Sequence, residues 1–333
     1  MAVRTALLLF LSCFTFFGSD EQHNQWVAVK QSLTLMGSPF EITVIAPNED
    51  IGYISIQEAV DEIRRIERMI SSWDPESETS LINQNAGIQP VRVSRELFSL
   101  LERSIQISEI TNGAFDLTYA VLDDVWKFNE DMEKFPSPER IRQAVSRIGY
   151  EKIELNRDEF TVYLPEKGMK LGFGAIGKGY AADRAKELLI SKQISSGFIN
   201  AAGDVTAWGT RVNGEKWLLG VANPLGKNRI FTWVPLIESS ASISGRFDKF
   251  LTFNGKRYSH LINPATGYPV TEIIRVIVFG QSAELCDALA TAIHILGKEE
   301  GLHLINQLGD TEVIIIDNFG ELTSSMGLKM LNP

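Results

Sequence analysis

The stretch QWVAVKQSLTLMGSPFEITVIA runs from Gln25 to Ala46. Its alternating apolar and polar residues predict two strands, with a turn around Gly37-Ser38-Pro39. So short a turn joins strands antiparallel, because parallel neighbours need a crossover of about a dozen residues or more. The period then changes. In SIQEAVDEIRRIERMISSW, Ile56, Val60, Ile63, Ile66 and Ile70 recur at helical spacing. The same alternation of strand pair and helix continues along the chain. SRELFSLLERSIQISEITNG reads as a helix with Ser94 as N-cap and Gly113 as its stop. SPERIRQAVSRIG is a second capped helix, and KIELNRDEFTVYLP a hairpin turning at Asn156-Arg157-Asp158. DPESETSLINQNAG reads as a loop or short helical turn. A helix over GKGYAADRAKELLISKQ follows a glycine-rich stretch. GFINAAGDVTAWG, KWLLGVANP, IFTWVPLI, ASISG, KFLTFNGKRYSHLIN, IIRVIVFG and TEVIIIDNFGELTSS read as strands with turns. Antiparallel pairs interleaved with helices predict an α+β fold, a single domain of mixed, largely antiparallel sheets with packed helices.

Composition narrows the function. The 333 residues are 44% hydrophobic and 22% charged, as in a soluble globular protein. The net charge is −10 and there is no basic stripe, so no nucleic-acid partner is expected. The first 20 residues differ from the rest. Arg4 precedes an apolar run from Ala6 to Phe17, then a polar stretch, which is the layout of a signal peptide or an N-terminal anchor. FLSC, ending at Cys13, is a poor match to a lipid-attachment box because FTFF follows it. Residues 21–333 are then the working domain. Of the two cysteines, only Cys286 is outside the leader, so no internal disulfide is expected. Cys286 reads as a small buried hydrophobe.

Four segments offer chemistry. LGFGAIGKGYAAD, Leu171 to Asp183, places four glycines at a strand-to-helix junction, where backbone can approach a phosphate. It has neither Walker nor Rossmann spacing, and a tight turn against a sheet explains it equally well. SHLINPATGYPV sets His260 before a turn-rich loop; it reads as a base near neutral pH or as a structural histidine. In TNGAFDLTYA, Asp116 either binds a ligand hydroxyl or amide, or caps a turn. In SAELCDALATAIHILG, Asp287 and Thr291 share one face of an apolar helix, one turn apart. A lone buried carboxylate is costly, so it needs a partner. Hard cations such as magnesium want such oxygens. The alternative has Asp287 capping the helix and Thr291 bonding back to helix carbonyls. His294 is a poor magnesium ligand and reads as packing or solvent-facing.

Together these segments resemble the FAD:protein FMN transferase family, the ApbE type. The resemblance spans about Met36 to Gly297 and rests on motifs in order: MGSPFEITV, SSWDPESETSLIN, TNGAFDLTYAVL, FGAIGKGYAAD, INAAGDV, SISG, YSHLINPATGYPV and AELCDALATAIHILG. It implies an ApbE-type, T-fold-like domain. It also implies transfer of FMN from FAD, with Mg2+, to a Thr or Ser hydroxyl of a target protein, releasing AMP. The target would be a subunit of a membrane redox complex. The setting would be the bacterial periplasm or the outer face of the cytoplasmic membrane. Carried over by position, Asp287, Thr291 and the Ala175 carbonyl match the metal site. Met36, Trp73, Ala114, Phe115, Asp116, Lys178, Leu261 and Ile262 match FAD contacts, and His260 matches the candidate base. Gly172 stands where the family commonly has Asp; Asn263 and Arg246 stand where acidic or amide side chains are frequent. Hydrolysis of FAD to FMN and AMP, or FAD binding without turnover, are alternatives that the residues leave open.

Overall fold

The computed structural model describes residues 26–128, 134–222, 230–245, 250–253 and 256–328. The leader with Cys13, and Arg246, lie outside the described residues. In chain order the elements are β1 (Val27–Leu35), β2 (Ser38–Ala46), α1 (Glu49–Ile70), α2 (Glu78–Gln84), β3 (Val91–Arg92), α3 (Arg95–Ile110), a 3-10 segment (Leu117–Asp124), α4 (Pro138–Val145), β4 (Glu154–Asn156), β5 (Thr161–Tyr163), α5 (Gly177–Ser191), β6 (Gly197–Ala201), β7 (Asp204–Trp208), β8 (Trp217–Ala222), β9 (Ile230–Leu236), β10 (Ser239–Gly245), β11 (Phe250–Phe253), β12 (Lys256–Ser259), β13 (Ile273–Gly280), α6 (Ala283–Leu296), α7 (Lys298–Gln307), β14 (Glu312–Asp317) and β15 (Leu322–Ser324).

An eight-stranded sheet forms the centre, in the order β1-β2-β6-β7-β10-β13-β14-β15. Every pairing between described strands is antiparallel. The opening hairpin turns at Met36 and Gly37, both with left-handed backbone (φ 50° and 65°). Positive φ at both central residues suits the twist of a two-residue hairpin, and glycine accepts it without strain.

Period-two alternation explains why β13 and β14 look uniformly apolar. Ile277, Phe279, Ile314 and Ile316 face a core shared with Leu219, Val221 and Val234 of the β8–β9 hairpin. Val276, Val278, Val313 and Ile315 face the opposite core, against Leu289 and Ile293 of α6. A strand covered on both sides has no polar face to show. The largest core joins β1, β2 and β6 to α1, α3, α5 and α6. Ile56, Val60, Ile63, Ile66 and Ile70 supply the stripe that α1 buries there.

Helix ends follow local chemistry. Ser94 accepts from the Leu97 amide, and Ser137 caps α4 just before Pro138. The segment read as a loop or helical turn forms α2, capped by Ser77. Cys286 is buried, 1% exposed.

Candidate functional site

The α5–α6 contact organises the site. A Cβ on Gly179 would stand 2.2 Å from the Ala283 carbonyl oxygen, so the helices touch backbone to backbone only because this residue has none. Each helix then caps the other. The Asp287 carboxylate, one turn into α6, accepts from the Gly179 amide in the first turn of α5 at 3.3 Å. Asp183 of α5 accepts from the Glu284 amide at 3.0 Å and the Ser282 hydroxyl at 2.8 Å, at the start of α6. Ile176, the residue before α5, offers no side-chain cap of its own. Asp287 therefore does not cap its own helix, which Ser282 does by accepting from the Leu285 amide.

Lys178 lies between two acids. Its ammonium is 2.7 Å from Asp204 Oδ2 on β7 and 3.4 Å from Asp287 Oδ2 on α6. Asp204 is 2% exposed, Asp287 5%. Ser242 of β10 donates to Asp204 Oδ1 at 2.6 Å and fixes that carboxylate. Burial, and then the Asp204 charge, push the Asp287 carboxyl well above the usual carboxylate range, against the pull of Lys178. Burial alone would lower the Lys178 pKa, but the two carboxylates raise it, so the ammonium stays charged. With both acids ionised the cluster is one positive charge short. Asp204 was not singled out from the sequence. One aspartate in a strand looks like register, and the INAAGDV motif was the only signal.

The glycine-rich loop leads into this cluster. The Gly172 amide donates to the Leu117 carbonyl at 2.9 Å, which lays the loop on the 3-10 segment. A Cβ on Gly172 would meet Ala120 Cβ at 2.8 Å, and one on Gly174 would meet Tyr119 Oη at 2.6 Å. Gly172 is thus required here by the close approach of Ala120. Burial raises the Tyr119 pKa, so its hydroxyl remains a neutral donor beside the loop. Asn83 of α2 grips the loop entrance, donating to the Leu171 carbonyl at 3.0 Å and accepting its amide at 2.7 Å. Beside it opens a cleft of about 340 Å³, lined by Trp73, Asn83, Asp123, Lys127, Lys170 and Leu171 among others. Trp73 is 79% exposed, an unusual cost for so large an apolar ring.

The remaining expected residues fall into separate groups. Met36 reaches the start of α5: its Cε lies 3.7 Å from where a Gly177 Cβ would be. Ala175 is half-buried on the loop, and Thr291 half-buried one turn beyond Asp287. Ala114 and Phe115 are buried in the main core. Asp116 caps the 3-10 segment: Oδ1 accepts from the Thr118 amide (2.7 Å) and hydroxyl (2.6 Å), and Oδ2 from the Tyr150 amide (2.9 Å). Of the two roles open to Asp116, the cap is the one its hydrogen bonds describe. His260 follows β12, half-buried, on a hairpin apart from the large sheet. Leu261 and Ile262 are buried beside it, and Ile262 packs with Trp126. Trp126 donates to the Gly267 carbonyl at 2.9 Å, tying the NPATGYP loop down. Asn263 shapes that loop by accepting from the Ala265 and Thr266 amides. His294 is buried, not solvent-facing, with Nε2 3.0 Å from the Ser244 carbonyl oxygen.

The glycine-rich loop and the first turn of α5 thus meet the buried acid of α6 on one face of an antiparallel α+β sheet. A model of the ApbE family matches residues 36–315. The chain belongs to the ApbE family. It is 28% identical over 291 residues to the FAD:protein FMN transferase of Treponema pallidum (strain Nichols), covering 83% of this chain and 80% of that one. It is 28% identical over 287 residues to a protein of the same name from Klebsiella pneumoniae (strain 342), covering 86% and 88%. The crystal structure of the ApbE protein of Thermotoga maritima superposes with a TM-score of 0.84 at 26% identity, covering 90% of this chain and 97% of that one.

Proposed function

We propose that the chain is a magnesium-dependent flavin transferase. It moves FMN from FAD to a Thr or Ser hydroxyl of a target protein and releases AMP. The observation that carries this reading is the buried Asp204–Lys178–Asp287 cluster at the start of α5, where the glycine-rich loop arrives. Family membership and the names of the relatives above support it.

The donor set fits a small divalent cation. With both carboxylates ionised, one ammonium leaves a negative charge for an ion to match, and among the described residues the contacts of Lys178 and Gly179 both go to Oδ2 of Asp287. No group of three or more His, Cys, Asp or Glu side chains that could hold a metal occurs among the described residues. Magnesium does not need one, since carbonyl, water and phosphate oxygens usually complete its shell. Asp287, Thr291 and the Ala175 carbonyl would hold it. Bound there, it would neutralise diphosphate charge and polarise the phosphorus under attack.

The chain's own groups do the rest. The partial positive charge of the α5 N-terminus favours the diphosphate. Lys178 adds a fixed positive charge at the same end. The cleft beside Trp73 offers a flat apolar wall for one of the dinucleotide's rings. His260 takes the proton from the acceptor Oγ as that oxygen bonds to the FMN phosphorus and the bond to AMP breaks. Positioning and charge dominate such transfers. The acceptor belongs to a subunit of a membrane redox complex, outside the cytoplasm. The apolar leader supports export. No helix among the described residues is long and apolar enough to cross a membrane.

The test is mass spectrometry of a candidate target domain incubated with the protein, FAD and magnesium. A covalent FMN adduct on one Thr or Ser, with AMP in solution, is expected. FMN and AMP without an adduct would make the protein a hydrolase; intact FAD would make it a binder.

A further inference from the structure

Asp204 is given no step of its own in the proposed transfer, yet it is more deeply buried than Asp287 and more tightly held. It sits on β7, in the middle of the central sheet, with Ser242 on one oxygen and Lys178 on the other. Its contact to Lys178 is 0.7 Å shorter than that of Asp287, 2.7 against 3.4 Å. A buried carboxylate so anchored is a fixed charge. It decides where the ammonium goes, and the ammonium then lies within reach of Asp287 as well.

We infer that Asp204 is a positioning residue that seats Lys178 as a resident counter-cation beside Asp287, where its ammonium competes with a divalent ion for that carboxylate. This inference rests on the metal reading above. An ammonium on one oxygen of a carboxylate and a divalent ion on the other still stand close enough to repel each other. The looser Asp287 contact is the one to yield on ion binding, while the Asp204 contact keeps Lys178 at the site, facing the diphosphate. The pair thus sets ion affinity below what two bare carboxylates would give. It also spares the protein from burying two adjacent unmatched anions when no ion is bound.

The arrangement predicts opposite signs for two single changes, read as Mn2+ binding by electron paramagnetic resonance on the full chain without FAD. K178M removes the competitor and keeps the stem, so Mn2+ should bind roughly ten times more tightly. D204N removes a negative charge and leaves Lys178 to pair with Asp287 alone, so Mn2+ should bind roughly ten times more weakly. The double variant should return to within about threefold of the parent, because the removed charges cancel. The K178M protein should bind the ion better while transferring flavin worse, a split that a merely structural lysine would not give. Unchanged or weaker Mn2+ binding in K178M overturns the inference. If K178M does not fold, D204N and the double variant decide: equal affinities in the two overturn it. D287N separates this failure from that of the metal reading itself. If D287N binds Mn2+ as the parent does, the ion is not at this site at all.

Discussion

Asp287 acts on two structures at once. It would hold the ion, and it also accepts the Gly179 amide at the start of α5. Asp287→Ala should therefore slow flavin transfer by roughly a hundredfold or more, since polarising ions supply several kcal/mol at the transition state. It should also cost about 1 kcal/mol of stability from the lost cap. Steady-state transfer and urea unfolding would measure the two, and a variant with parental turnover in excess magnesium would remove the assignment. Gly172 makes the opposite point. Family resemblance marks it as a missing acid, yet Ala120 fills the space a Cβ needs. Gly172→Asp should not raise activity above that of the parent. It should lower stability by about 1–3 kcal/mol through overpacking, seen as a lower urea midpoint. The sequence alone showed both residues as candidates but not their partners. Lys178 and Asp287 are 109 positions apart, and Asp204 sits in a strand whose pattern speaks only of register.

At the scale of elements, periodicity and caps were legible because their causes are local. The Ser94 and Ser137 caps and the β4–β5 hairpin lie where the residues place them. The 3-10 segment after Asp116 was not foreseen. It depends on one carboxylate bonding Thr118 and the distant Tyr150 amide. The mutual capping of α5 and α6 was equally invisible, because Asp183 and Glu284 are 101 positions apart. The contact is testable at Gly179. Gly179→Ala must part the two helix backbones and should cost about 3 kcal/mol, the upper end for overpacking. Asp183→Asn should cost only about 1 kcal/mol, since it weakens a cap without moving a backbone. Urea denaturation of both would check the order; equal losses would mean that the helices separate easily.

Across the whole molecule, strand order was beyond reach of the sequence. β10 pairs with both β7 and β13, and no local pattern records a sheet order that skips the β8–β9 and β11–β12 hairpins. Charge shows at this scale through pH. Burial pushes the Asp123 carboxyl in the Trp73 cleft up to about 6; Lys170 opposes this shift, and Asp124 adds to it. A carboxyl raised on folding binds its proton more tightly in the native state, so stability falls as pH rises from about 4 to 6. Asp123→Asn should remove that loss. Its stability relative to the parent should rise over this window by about 2 kcal/mol, and stay level above it. Urea midpoints at pH 4, 5, 6 and 7 would show it; parallel curves would place Asp123 in bulk-like solvent.

The paired helix ends also limit how this chain can exchange parts with its relatives. A chimera that takes residues 171–191 from another family member, but keeps 281–297, leaves each helix start facing a stranger. Transplanting both blocks together should restore cooperative melting that either block alone abolishes. The two segments are one unit of inheritance, though 89 residues of other structure separate them in the chain.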